Sequence, residues 1–174
     1  MTDRELAAAI RQAAYLEGDF VLRSGKRSRY YLDKYLFETQ PAILEELGRR
    51  LAVHVTPMTA RIAGAELGAV ALAAATSMAC GLPFVIVRNQ KKDYGTGKLV
   101  EGRIEKGDHV LLVEDVTTTG GQAIEAVKSL TDAGAIVEKV VTVIDRQEGG
   151  GERFAEAGIR YEALLTKADL DAVA

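Results

Sequence analysis

The 174-residue chain has no tryptophan, one cysteine, three prolines and four phenylalanines. A single cysteine excludes an intrachain disulfide framework and a cysteine cluster for a metal, and Cys80, in the small apolar run 73–80, reads as a packed thiol. Scarce aromatics favour close helix-on-sheet packing over an aromatic binding surface. No apolar run approaches the length of a membrane span, and no cationic start leads into a long apolar core of the secretory kind. The expectation is therefore a cytoplasmic protein with no membrane partner. Basic residues are in slight deficit: 22 Lys and Arg stand against 25 Asp and Glu, for a formal net charge of -3. That excludes a whole-chain bias toward nucleic acid, so any phosphate chemistry must be local. His54 has no neighbours at metal-ligand spacing and reads as structural or surface.

A hydrophobic fraction of 48% in a chain of this length suits one domain with a sizeable core, spanning 1–174. The rest of the chain is organised around residues 110–121, VLLVEDVTTTGG. Four apolar residues run into Glu114 and Asp115, then into hydroxyls and glycines, and an amphipathic helix pattern begins at Gln122. A buried parallel strand would deliver the two carboxylates to its carboxyl end. The N–H groups from Thr117 to Gly121 would then surround an anion at the helix N-terminus. A merely well-capped turn is the competing reading, and the length and order of the run weigh against it.

Around this centre, strands and helices alternate. Asp3 is the expected cap of a first helix with Leu6, Ala9, Ile10, Ala13 and Leu16 on its apolar side, stopping at Gly18. Residues 20–33 read as a hairpin with a basic Ser-Gly tip, which suits an anion or a solvated turn equally. Tyr30 and Tyr31 suit either core packing or one ring against a planar ligand. Pro41 starts a helix to about Val53, residues 60–63 form a short strand, and a glycine-bearing turn leads to a small-residue helix through Met78. A fully buried strand follows at 84–87. The polar, cationic segment 88–98 is an exposed hairpin or a mobile loop closing over a phosphorylated substrate. A helix from Gln122 to Ala133 should end on left-handed Gly134. Then come a strand 136–144 ending in Asp145-Arg146, a helix 152–157, a strand 159–165 and a terminal helix capped by Thr166. This alternation predicts an α/β fold with an open, mostly parallel sheet flanked by helices.

The chain lacks the glycine-lysine loop of a nucleotide triphosphatase, and no Gly-x-Gly-x-x-Gly follows the 110–116 strand. Paired carboxylates ahead of a phosphate loop suit a sugar phosphate instead. Residues 110–121 resemble the 5-phosphoribosyl-1-pyrophosphate (PRPP) motif of type I phosphoribosyltransferases. Ser24-Gly25, Ser28 before Tyr30-Tyr31, the 88–95 loop and Asp145-Arg146 resemble the orotate phosphoribosyltransferases within that family, in order and over nearly the whole chain. The resemblance implies a type I fold with a small N-terminal hood at 1–35 and a mobile loop. It implies transfer of ribosyl 5-phosphate from PRPP to orotate with Mg²⁺, giving orotidine 5-phosphate and pyrophosphate in UMP biosynthesis.

By the same resemblance, Glu114, Asp115, Thr117, Thr118, Thr119, Gly120, Gly121, Arg88, Lys92 and Tyr94 bind PRPP, and Lys92, Arg88 and Asp115 are the catalytic candidates. Arg146, Tyr30, Tyr31, Arg23 and Thr119 would contact orotate. No direct metal ligand is assigned, Mg²⁺ being held mainly by PRPP and water. A homodimer is implied in which the loop reaches the neighbouring site. Glu66-Leu67-Gly68 occupies a pyrophosphate-side loop, as in the shorter bacterial form. Tyr94 stands where many members have histidine, Arg23 and Leu67 where many have lysine, and Asn89 where a positive residue is common. The alternatives are a PRPP-dependent transferase for another nucleobase and a non-catalytic PRPP-responsive regulator.

Overall fold

The computed structural model describes residues 1–21, 25, 27–90 and 98–173. Helix α1 (Asp3–Ala14) leads into strand β1 (Tyr15–Val21), which pairs antiparallel with β2 (Arg27–Leu32). Short α2 (Lys34–Glu38) and α3 (Pro41–Ala52) follow, then β3 (Thr59–Ala65), α4 (Ala69–Cys80), β4 (Phe84–Val87) and β5 (Val100–Glu101). The remainder is β6 (His109–Thr117), α5 (Gly121–Asp132), β7 (Ile136–Asp145), α6 (Gly150–Glu156), β8 (Tyr161–Thr166) and α7 (Lys167–Asp171).

Strands β5-β4-β3-β6-β7-β8 form one sheet, parallel except for the short edge strand β5, which the sequence reading did not anticipate. Period-two alternation on β6 divides the core. Leu111 and Val113 join Leu6, Ile10, Phe37, Leu47, Leu51 and Leu72 on the face covered by α1 to α4. Val110 and Leu112 join Ala123, Ala126, Leu130 and Phe154 on the face covered by α5 and α6. Both faces are buried, which is why the central strands read as unbroken apolar runs. Strand order reverses between β3 and β6, so the connections leaving these two strands diverge. The crevice at their carboxyl ends is where open α/β sheets take ligands.

Several boundaries differ from those expected. Thr2, not Asp3, caps α1: its hydroxyl accepts the Glu5 N–H at 3.2 Å while Glu5 Oε2 accepts the Thr2 N–H at 2.7 Å. The helix ends at Ala14, well before Gly18, because Tyr15 onward pairs with β2 and the Tyr15 ring stacks on Tyr30 with centroids 5.0 Å apart. Gly18 instead lies in β1, within the register shift between Glu17 and Phe20. Gly134 does terminate α5 in the left-handed region, at φ 94°, with Ala135 N–H donating to Leu130 O at 3.0 Å. Gly64 belongs to β3 rather than to a turn. A Cβ there would sit 2.3 Å from Ala69 O and 2.9 Å from Ala73 Cβ, so its absence sets how closely α4 approaches the sheet.

Candidate active site

Strand β6 runs farther than its apolar residues suggest. Glu114, Val116 and Thr117 pair with Thr142, Ile144 and Asp145 of β7, so both carboxylates lie inside the last turns of the ladder rather than beyond it. Asp115 is 1% exposed, and its Oδ2 pairs with Lys34 Nζ of α2 at 2.5 Å. Burial works against the Lys34 charge, but Asp115 outweighs it and holds the ammonium above its usual range. Glu114 is buried with Oε2 lacking a hydrogen-bond partner; burial first, and then Asp115, push its carboxyl well above the usual range.

Glu38, on the last turn of α2, is a third buried carboxyl, 2% exposed with Oε1 unpartnered. Burial, with Asp115 adding to it, raises its pKa from 4.5 to about 8. Between those values the native state keeps a proton that the unfolded chain has released, so this group lowers stability as pH rises from 4.5 to 8. Glu38→Gln should remove that slope, gaining on the parent between pH 5 and pH 8 in urea unfolding. Parallel stability curves for the two proteins would refute the assignment.

Beyond Asp115 the chain turns through Thr117–Gly120 into α5. Gly120 is the N-cap at φ 73° with no side-chain cap, which leaves the first-turn N–H groups of a twelve-residue helix for an external acceptor. A Cβ on Gly120 would meet the Phe154 ring at 3.0 Å. The Thr117 hydroxyl is buried without a hydrogen-bond partner. Gly150 of α6 lies against this loop, where a Cβ would be 2.4 Å from Thr117 Cγ2, and Arg153 Nη1 donates to Thr119 O at 3.2 Å. Gly150, following the left-handed N-cap Gly149, thus lets α6 buttress the 117–120 turn.

Across the crevice, the carboxyl end of β3 supplies Glu66-Leu67-Gly68, with a cis Glu66–Leu67 peptide. A Cβ on Gly68 would fall 1.6 Å from Asp115 Oδ2 and 2.8 Å from Lys34 Nζ. The glycine therefore provides the notch in which that ion pair sits. Asn89 tethers the same loop: its N–H donates to Glu66 Oε1 at 2.7 Å and its amide to Glu66 O at 3.1 Å. Gln122 Nε2 donates to Glu66 O at 3.1 Å and Asn89 Oδ1 at 3.3 Å. Arg88 lies 4.0 Å from Glu66 Oε2 and 3.8 Å from Glu101 Oε1. An asparagine at 89 thus organises the loop base by hydrogen bonds where a cation would act by charge.

Arg146 is joined to the 117–120 turn through its main chain, its N–H donating to Thr117 O at 2.9 Å. Its guanidinium pairs with Glu148 at 2.8 Å and lines a small crevice with Tyr15, Tyr30, Leu32 and Lys167. Tyr30 is therefore brought to Arg146, with Lys167 Nζ 5.2 Å above its ring. Tyr31 points elsewhere: it is 45% exposed and packs on Phe20 with centroids 5.7 Å apart. Neither ring enters the core. Arg23, Lys92 and Tyr94 lie outside the described residues.

The sequence does not single out Lys34, Glu38, Gly150 or Arg153, and it places Gly68 in a pyrophosphate-side loop without its contact to Asp115. The 149–151 glycine run and the 64–68 segment carry visible signals; the other positions are defined by partners more than 30 residues distant in the chain or by a cavity.

The phosphoribosyl transferase domain family matches residues 60–157. The orotate phosphoribosyltransferase of Methanocella arvoryzae is 44% identical over 169 residues, 97% of each chain. That of Natronomonas pharaonis is 46% identical over 171 residues, 98% of each. Among solved structures, Mycobacterium tuberculosis orotate phosphoribosyltransferase in complex with PRPP superposes with a TM-score of 0.80 at 33% identity, covering 97% of this chain and 98% of that one. The Aeropyrum pernix enzyme gives 0.82 at 30% identity, with 95% of both chains covered.

Proposed function

We infer the function from one premise: this chain belongs to the orotate phosphoribosyltransferase family of phosphoribosyltransferases. It is a transferase that moves ribosyl 5-phosphate from PRPP to orotate, forming orotidine 5-phosphate and pyrophosphate in pyrimidine biosynthesis. The observation that carries this reading is the uncapped α5 N-terminus beside buried Asp115, in the crevice where strand order reverses.

Each side chain then takes a part. The N–H groups and hydroxyls of Thr117, Thr118, Thr119, Gly120 and Gly121 hold the 5-phosphate. Asp115 accepts from the ribose hydroxyls, with Glu114 beside it. Arg88 and, by family resemblance, Lys92 and Tyr94 face the pyrophosphate. Arg146 receives the orotate carboxylate, with Tyr30 beside the base; Thr119 and Arg23 complete that side by resemblance, whereas Tyr31, packed on Phe20, is not given that part. Breaking the C1–pyrophosphate bond builds positive charge on the ribose and negative charge on the leaving group. The enzyme's task is to orient the acceptor nitrogen and stabilise both charges, with no protein nucleophile required.

Mg²⁺ is the metal we propose, and it neutralises pyrophosphate when bound. Among the described residues no group of three or more His, Cys, Asp or Glu side chains is placed to hold an ion, and Asp115 is engaged by Lys34. This donor set fits a metal brought in by PRPP oxygens and water, bordered by Asp115. We further propose one domain over 1–174 with residues 1–35 as a hood, and a cytoplasmic homodimer whose 88–98 loop reaches the neighbouring site. No helix among the described residues is long and apolar enough to cross a membrane.

The deciding assay offers PRPP with orotate, uracil and purine bases, with and without Mg²⁺, and measures nucleotide and pyrophosphate together. Orotidine 5-phosphate should form with orotate alone, and chelation should abolish it. Turnover of another base in preference to orotate would overturn the acceptor.

A further inference from the structure

Asp115 cannot reach a ribose while Lys34 stays where it is. The carboxylate is 1% exposed, and the ammonium that covers it is carried on α2, 81 positions earlier in the chain. The Lys34 side chain is 31% exposed against 2% for that of Asp115, so the lysine is the accessible partner of the pair. Three elements are shaped to this contact: α2 supplies the cation, β6 the carboxylate, and the β3 exit loop a glycine whose missing Cβ leaves room for both. Around the pair stand Asp33, the N-cap of α2, Tyr35 and Glu38 from α2 and Glu114 from β6. Lys34 is thus the one ammonium, among the described residues paired with Asp115, set against several carboxyls.

We propose that Lys34 is a positioning residue for Asp115, a tethered counter-cation that holds the carboxylate in the Gly68 notch and hands it over to the ribose hydroxyls of PRPP. The inference rests on the ribose-binding role of Asp115 stated above. Its logic is electrostatic. Glu38 and Glu114 are buried carboxyls for which taking up a proton is the easy response to crowding, as their raised pKa directions indicate. A ribose-binding carboxylate must instead stay in one place among these neighbours, and the ammonium 2.5 Å away, carried on a separate element, holds it in the notch. Attachment to α2 also lets the ammonium withdraw along a flexible stem when the ribose arrives, without leaving the carboxylate unpaired beforehand.

The test uses the full chain as Lys34→Met, Lys34→Gln, Lys34→Arg and Asp115→Asn, with kcat and KM measured for PRPP at saturating orotate and for orotate at saturating PRPP, and folding checked by circular dichroism. Lys34→Met and Lys34→Gln should lose about tenfold in kcat/KM for PRPP, with the change in KM rather than kcat and with KM for orotate within about twofold of the parent. Lys34→Arg should recover most of the loss. Asp115→Asn should lose PRPP use. A KM for PRPP that is unchanged or falls in both neutral variants, a loss confined to kcat, or an arginine variant no better than methionine would each overturn the proposal. An unchanged Asp115→Asn would instead overturn the ribose-binding role, and the Lys34 proposal with it. If the neutral variants do not fold, the arginine variant decides: it must keep the parent's KM for PRPP to within about threefold.

Discussion

Arg146→Ala should lower kcat/KM for orotate by about 10²-fold or more while leaving PRPP affinity within about threefold, because losing one partner of a desolvated charge pair costs about 2–5 kcal/mol. The selectivity follows from how Arg146 is held. Its main-chain N–H is bonded to Thr117 O at 2.9 Å, and alanine keeps that bond, so the anion loop retains its shape. What disappears is the guanidinium that shares a crevice with Tyr30 and Lys167 and pairs with the half-exposed Glu148. A carboxylate substrate competes readily with such a surface partner, whereas no other base without a carboxylate gains from it. Steady-state kinetics with varied orotate, and calorimetric PRPP binding, separate the two effects. Unchanged orotate kinetics would remove Arg146 from the acceptor site.

Gly68→Ala should lower kcat/KM for PRPP by about 10²-fold, of the size expected when one methyl group displaces a group that acts on the substrate. The residue's dihedrals, φ -59° and ψ -47°, are ordinary for alanine, so the effect carries no backbone strain. It comes from space alone: the added Cβ would fall 1.6 Å from Asp115 Oδ2, a separation that no rotamer adjustment of Lys34 relieves. The carboxylate must leave the notch, and the ribose loses its acceptor. Overpacking here should cost about 1–3 kcal/mol of stability, which a domain of this size tolerates, so the variant should be folded and poorly active. An alanine variant with parental PRPP kinetics would mean that Asp115 does not act from the notch.

The extent to which this site was readable from the chain depends on how local its parts are. The 110–121 run announces itself because its geometry is built within one strand-to-helix connection: apolar residues, two acids, hydroxyls and glycines stand in the order in which the backbone uses them. Arg146 could be located from the same kind of signal, polar residues closing an apolar strand. The hairpin was recognisable as a hairpin, but not its start. The periodic Leu6, Ile10, Ala13 and Leu16 pattern continues through Tyr15, and only the pairing of β1 with β2 overrides it. Asn89, which the family pattern marks as a lost charge, turns out to bond the Glu66 loop and Gln122 directly.

The sequence by itself determined the alternation of strands and helices, the strand-to-helix connection at 110–121 and the family, because these depend on period, turn chemistry and the order of residues along the chain. Only the tertiary structure decided which glycines are indispensable and which charges meet. Gly64 and Gly68 look alike in the run Gly64-Ala-Glu-Leu-Gly68, yet one is filled by the backbone of α4 and the other by a carboxylate from β6. Lys34 and Glu38 read as ordinary polar positions of a short helix until folding places α2 over Asp115. Burial and charge pairing are properties of residues brought together from distant segments, and no local pattern encodes them.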